Sequence, residues 1–137
     1  VAACRKTVRD NALESRVAVY HSDNLAQIPA SEQWDLVVSN PPHFLTEAVG
    51  QIRYNDPDWR VHRGFFSNVG KHLKAGGVIV LQENNRGSTV KIFREMIEAA
   101  GLKIVFTHGD HETLTPRSIF YFIGIMRNDA EVPDWAR

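Results

Sequence analysis

Residues 34–44 read "WDLVVSNPPHF". The run Asp35 to Ser39 is apolar except at its ends, as expected for a strand covered on both faces. It ends on Asn40 and two prolines. Pro41 forces Asn40 out of the helical region, and Pro41 with Pro42 makes a stiff elbow as the chain leaves the sheet. The two prolines also remove two backbone N–H donors, so the carbonyls of this turn stand out as acceptors. His43 and Phe44 add planar side chains beside them.

Working outward, the pattern alternates between strands and helices. Ala2–Leu13 spaces Cys4, Val8 and Ala12 by four, with charged residues between them, as on a surface helix. "RVAVYHSD" predicts a strand over Arg16–Tyr20 that ends in a polar turn. A long connection, "LTEAVGQIRYNDPD", follows the proline elbow, and long loops often carry function. Trp59–Leu73 carries Phe66, Val69 and Leu73 on one stripe and predicts a helix, stopped by "KAGG". "GVIVLQ" predicts a third strand, Gly77–Gln82. "GSTVKIFREMIEAAG" predicts a helix capped by Ser88 and stopped at Gly101. "LKIVF" and "SIFYFIGIM" predict two last strands with no helix between them, so the second can run antiparallel to the first. The expectation is an α/β domain with a mostly parallel sheet and an antiparallel ending.

In an open parallel sheet, ligands bind beyond the carboxyl ends of the strands, where Asn40 sits. The Asn40 amide oxygen and the Pro41 carbonyl form two rigid acceptors. They suit a planar –NH2 group, each acceptor taking one N–H, with His43 or Phe44 stacking on its flat face. Held this way, the nitrogen presents its lone pair to an electrophile, and catalysis comes from positioning.

These residues resemble the (N/D)PP(Y/F/W/H) signature of class I S-adenosylmethionine-dependent N-methyltransferases, a signature shared by protein-glutamine and nucleic-acid amino methyltransferases. "YHSD" resembles the strand end whose acidic residue contacts the cofactor adenine. "HLKAGGVIVLQ" resembles the passage into the fifth strand of that fold. The resemblance implies a Rossmann-like methyltransferase three-layer sandwich and S-adenosylmethionine as cofactor. It implies Asn40, Pro41, Pro42 and His43 as the catalytic elbow, His43 and Phe44 against the substrate, and Asp23, Asn24 and Asn40 on the cofactor side. Tyr is the commonest residue at the fourth position of the signature, where this chain has His43. The family's sheet runs 3-2-1-4-5-7-6. This chain begins with Val1, in a helix pattern that resembles the helix after the second strand, and no G-x-G stands anywhere in its 137 residues. The expectation is therefore the C-terminal two-thirds of one methyltransferase domain, spanning 1–137 and lacking the N-terminal strands. The competing expectation is a catalytically incompetent fragment that binds a partner, or a homo-oligomer that completes the sheet with a second chain.

Composition narrows the partners. Sixteen basic and sixteen acidic residues cancel, so no basic footprint for nucleic acid is present. A protein, nucleic-acid or small-molecule substrate with a planar amino group fits the elbow; a membrane does not figure. Cys4 is the single cysteine, which excludes an internal disulfide and suits a reducing, cytoplasmic location. It has no clear His or acid partner and is not expected to be a nucleophile. "HGDHE", His108–Glu112, matches no common metal spacing and is expected as a solvated loop on the Asn40 edge, so no metal site is expected. Trp59, Phe65 and Phe66 are expected in the core. Arg53, Arg60, His62 and Arg63 are expected on a solvated surface.

Overall fold

The computed structural model describes residues 1–45, 52–115 and 120–136. Seven main elements follow in the order α1 (Ala2–Asp10), β1 (Trp34–Ser39), α2 (Arg60–Val69), β2 (Leu73–Asn84), α3 (Val90–Ala99), β3 (Leu102–His108) and β4 (Phe120–Arg127). The four strands form one sheet in the order β1-β2-β4-β3. β1 and β2 run parallel, with Leu36 opposite Val78 and Val38 opposite Val80. β4 runs antiparallel to both β2 and β3. This is the 4-5-7-6 half of the expected sheet, with its antiparallel ending.

The connectivity explains the inversion of β4. The β1–β2 link carries α2 and returns the chain to the same end, which gives a parallel pair. Among the described residues no helix separates β3 from β4, and the two pair antiparallel.

The main core lies on one face. Ile79 and Leu81 of β2, with Ile123 and Ile125 of β4, meet Phe65, Phe66 and Val69 of α2 and Phe93 and Ile97 of α3. Phe66 and Val69 belong to the stripe that the sequence predicts, whereas Leu73, expected at the end of that helix, and the expected stop "KAGG" lie in β2. The expected core residues Trp59, Phe65 and Phe66 are all buried. A smaller cluster of Val78, Met126 and Ala130 lies on the opposite face.

Three further elements depart from expectation. β1 is covered on one face only: Val37 packs on the core, whereas Leu36 and Val38 are 59% and 73% exposed. It is the edge strand, and among the described residues nothing lies over its second face. No strand forms over Arg16–Tyr20. In the family order a third strand reaches the fourth only through the second and first, and a strand without a ladder partner leaves its backbone groups unpaired. Ser88 does not cap α3; the N-cap is Thr89, and Ser88 is buried with its hydroxyl facing Tyr121.

The core strand β2 and the uncovered face of β1 differ in what a substitution costs. Ile79→Ala, in the core, is expected to cost about 2–5 kcal/mol of unfolding free energy. Val38→Ala, on the uncovered face, is expected to change it by less than about 0.5 kcal/mol. Urea unfolding midpoints of the two variants check this; similar losses would mean that the outer face of β1 is covered.

Candidate functional site

Asn40 follows β1 at its carboxyl end, and Asn84 and Asn85 stand at the carboxyl end of its parallel neighbour β2. The proline elbow thus lies on the edge where ligands bind in such sheets. Asn40 is exposed, and among the described residues no hydrogen bond engages its amide. Pro41 and Pro42 are half-buried.

Beyond the prolines, the chain is clamped. The backbone N–H groups of His43 and Phe44 both donate to the Tyr54 carbonyl at 3.0 Å, and Asp56 N–H donates to the Phe44 carbonyl at 2.7 Å. The turn after β2 presses from the other side. A Cβ placed on Gly87 would stand 2.1 Å from the His43 carbonyl oxygen and 2.7 Å from a Phe44 ring carbon. Only a residue without a side chain fits there.

His43 is drawn into the protein and keeps 11% of its side-chain surface. Its Nδ1 lies 3.2 Å from Glu83 Oε2, and its ring meets Phe120 edge-on, with centroids 6.1 Å apart. Phe120 is the more open ring, at 48% exposure. Phe44 is half-buried.

Under His43 runs a chain of buried polar groups. His62 Nε2 donates to Glu83 Oε1 at 2.8 Å, and His62 Nδ1 donates to Asp56 Oδ2 at 2.6 Å. Asp56 also accepts the backbone N–H groups of Val61 and His62, at 2.8 and 3.1 Å, in the first turn of α2. Asp56, His62 and Glu83 are each at most 1% exposed. Both nitrogens of His62 face carboxylate oxygens, which accept but do not donate, so both carry hydrogen and the ring is an imidazolium. Burial works against that charge, but the hydrogen bonds and negative charges of Glu83, and then of Asp56, outweigh it and raise the His62 pKa above 6.5. The charged ring stacks on the Phe93 face at 4.5 Å, a contact suited to a cation, and meets Trp59 in a T-shaped arrangement at 5.2 Å.

The backbone pays locally for this placement. Asp58 and Trp59 adopt left-handed φ values of 56° and 54° in succession, each costing on the order of 1–3 kcal/mol. Burial of Trp59 and the two Asp56 cap bonds offset that strain.

Asp23 and Asn24 dock against α2. The Asn24 amide donates to the Val61 carbonyl at 2.8 Å. The Asp23 side chain is exposed and lines a cavity of about 390 Å³ with Asn24, Arg60, Val61 and Gly64. A second groove, about 410 Å³, runs from Asn24 along β1 to Ser39 and so reaches the residue before Asn40. The structure therefore brings the Asp23–Asn24 turn and the elbow to neighbouring ends of one groove system. The exposed Asp23 carboxylate fits the amine of an adenine, and the 137 residues contain no glycine loop for the methionine end of S-adenosylmethionine.

His62 does not lie on the solvated surface expected for it, whereas Arg53, Arg60 and Arg63 are exposed. The "HGDHE" loop does reach the Asn40 edge. Asn85 holds it, donating to the Gly109 carbonyl at 2.9 Å and accepting His111 N–H at 3.2 Å. Among the described residues no group of three or more His, Cys, Asp or Glu converges as a metal site. No helix among them is long and apolar enough to cross a membrane.

Glu83, Asp56 and His62 were the residues hardest to see from sequence. Their signals are a carboxylate extending the apolar run "GVIVLQE", and a histidine at the head of the Phe65–Phe66–Val69 stripe. A charged or polar residue at a core position requires a buried partner.

The raised His62 pKa makes stability depend on pH with a definite sign. Its contribution is fully present below about pH 6.5 and is lost as pH rises through the folded value. The wild-type chain should exceed His62→Gln by about 3–5 kcal/mol at the acid end of that window. The gap should narrow as pH rises, in urea titrations at a series of pH values. A gap that widened with pH would exclude the imidazolium. Gly87→Ala should cost about 1–3 kcal/mol in the same assay, and an unchanged midpoint would show that the turn and the elbow are not in contact.

The methyltransferase small domain model matches residues 1–110. A comparison with curated protein sequences finds no match. Among solved structures, a S-adenosylmethionine-dependent methyltransferase from Clostridium acetobutylicum aligns with a TM-score of 0.60 at 11% identity, over 92% of this chain and 70% of that one. The StiE O-MT aligns with a TM-score of 0.62 at 16% identity, over 97% of this chain and 57% of that one. A ribosomal protein L11 methylase from Lactobacillus delbrueckii subsp. bulgaricus aligns with a TM-score of 0.55 at 12% identity, over 90% and 52%. The chain thus spans little more than half the length of the last two. At these identities the structures speak for the fold, a truncated Rossmann-like methyltransferase fold, and with the family they imply S-adenosylmethionine as cofactor. By the match over residues 1–110, the chain belongs to the methyltransferase small domain family.

Proposed function

We propose that this chain is the acceptor-side part of a S-adenosylmethionine-dependent N-methyltransferase, acting on a planar amino or amide nitrogen of a protein, nucleic acid or small molecule. The observation that carries the reading is the Asn40–Pro41 elbow. It stands at the carboxyl end of β1, with the chain just beyond it held at His43 and Phe44 by the Tyr54 carbonyl and Gly87, and with its Asn40 amide unengaged among the described residues. A rigid pair of acceptors on a fixed backbone restricts the acceptor nitrogen to one orientation before reaction, the geometric part of catalysis.

When bound, S-adenosylmethionine supplies the methyl group from a sulfonium centre. Asp23, and Asn24 beside it, would receive the adenine end. Asn40 and the Pro41 carbonyl would hold the two hydrogens of the acceptor –NH2. Pro42 keeps the elbow rigid. Stacking on the acceptor would fall to Phe120 and Phe44 more than to His43, which keeps only 11% of its side-chain surface. Neighbours whose names specify O-methyl or protein methylation share only the fold, so nitrogen as acceptor rests on the elbow.

A second reading is favoured by Leu36 and Val38, two large apolar side chains open on an edge strand. Such an edge invites another strand. In that reading the chain completes its sheet with a second chain and works as a binding or oligomerisation module.

Calorimetric titration of S-adenosylhomocysteine into the chain separates the two. Micromolar binding is expected if the enzyme reading holds, with Asp23→Ala weakening it about tenfold or more and Asn40→Ala leaving it nearly unchanged. In a form that turns over, Asn40→Ala should lower kcat by about 100-fold, the scale of a lost positioning contact. Asn40→Ala acting on cofactor affinity and Asp23→Ala on kcat would overturn the roles. A folded chain that binds nothing and sediments as a dimer would favour the module.

A further inference from the structure

His43 occupies the position next to the elbow, and its ring is largely buried, keeping 11% of its side-chain surface. Nδ1 is spent on Glu83 Oε2 at 3.2 Å. Glu83 is in turn held by His62, and His62 by Asp56, so four residues from three separate stretches form one buried chain. Ser88 Oγ closes on Glu83 Oε2 at a long 3.5 Å and pairs with the Tyr121 hydroxyl at 2.9 Å. Buried charges in such numbers are costly unless each is paired.

The chain dictates where hydrogen sits. A carboxylate cannot donate, so the His43 nitrogen that faces Glu83 carries the proton. Neutral His43 is therefore the Nδ1–H tautomer, and its lone pair is on Nε2. Among the described residues nothing bonds Nε2. Charge counts in the same direction. Asp56 and Glu83 with the His62 imidazolium sum to one negative charge, and a proton taken up by His43 brings the four residues to neutrality. Burial, with the negative charges of Glu83 and Asp110, keeps the nearby Tyr121 a neutral hydroxyl.

We propose that His43 Nε2 accepts the proton released by the methyl acceptor, and that Glu83, His62 and Asp56 are positioning residues that hold His43 in the tautomer this requires. The proposal rests on the reading of Asn40 and Pro41 as the acceptor's cradle. The chemistry balances. The lone pair of the acceptor nitrogen becomes the new N–C bond, and the electron pair of the broken S–C bond stays on sulfur. The nitrogen then bears one hydrogen too many and a positive charge. That hydrogen leaves as a proton, its bonding pair remaining on nitrogen, and a new N–H bond forms at His43 Nε2. The imidazolium so formed keeps its Nδ1–H bond to Glu83, in the way a buried carboxylate supports a catalytic histidine elsewhere.

The first test needs no turnover. Long-range proton–nitrogen NMR of the imidazole nitrogens in the wild-type chain at alkaline pH should show the neutral His43 ring as Nδ1–H. Glu83→Gln should move it toward the Nε2–H form, while His62 changes its own signals. A wild-type His43 in the Nε2–H form would overturn the proposal directly, whether or not the chain methylates anything. If Glu83→Gln does not fold, Asp56→Asn, two links further along the chain, should produce a smaller shift of the His43 signals in the same direction, and no shift would overturn the relay. The second test uses a form that turns over. His43→Gln should lower kcat about 100-fold, the scale of a lost general base, and Glu83→Gln about tenfold, both with KM changed less than threefold. Full kcat in His43→Gln would remove the proton-acceptor role even where NMR supports the tautomer. Absence of cofactor binding, by contrast, would count against the methyltransferase reading and leave the NMR result standing.

Discussion

The imidazolium of His62 is the pivot of this structure. It joins the first turn of α2 to the end of β2 through two carboxylates, Asp56 below and Glu83 above. Each carboxylate has a second task that the ring makes tolerable. Asp56 caps the backbone of α2, and Glu83 holds His43. Removing the positive charge would strand two buried negative charges within a few ångströms of each other, which costs far more than a lost surface pair. The helix start, the end of the central strand and the proline elbow are thus stabilised by one group.

This arrangement couples the site to the core. The elbow is not a loop resting on a finished scaffold. Its backbone is clamped by Tyr54 and by the glycine contact at residue 87, and its histidine enters the buried chain. Two left-handed residues in succession, Asp58 and Trp59, carry the strain of turning the chain so that Asp56 and His62 face each other. Strain of this kind persists only where the surroundings over-determine the conformation. Here the buried Trp59 ring, edge-on to both His62 and Phe93, does so.

The opposite side of the molecule is far less constrained. β1 keeps its parallel pairing with β2, but Leu36 and Val38 stand open, and α1 buries none of its residues. The order β1-β2-β4-β3 reproduces one half of the methyltransferase sheet. The second edge of β1 is where the family's remaining strands lie. A half-sheet holds because its core lies on the α2–α3 face, away from that edge.

The sequence by itself determined the local things. Apolar stripes placed α2 and α3, the run before Asn40 placed β1, and the absence of a helix between the last two strands foretold the antiparallel ending. These follow from spacing along one stretch, which the chain cannot escape by folding differently. The proline elbow was legible for the same reason, because Pro41 and Pro42 restrict their own backbone in any context. What only the tertiary structure decided are the matters that need partners distant in sequence. Arg16–Tyr20 has strand residues but no strand beside it. Leu36 and Val38 have core residues' chemistry but no layer over them. His62 looked like one of four basic residues near a loop, and became the buried centre of the site because Glu83 lies 21 positions away in sequence and 2.8 Å away in space. Periodicity reports which face of an element is apolar. It does not report which other element will supply the countercharge, and that is why the chemistry behind His43 could not be seen until the chain was folded.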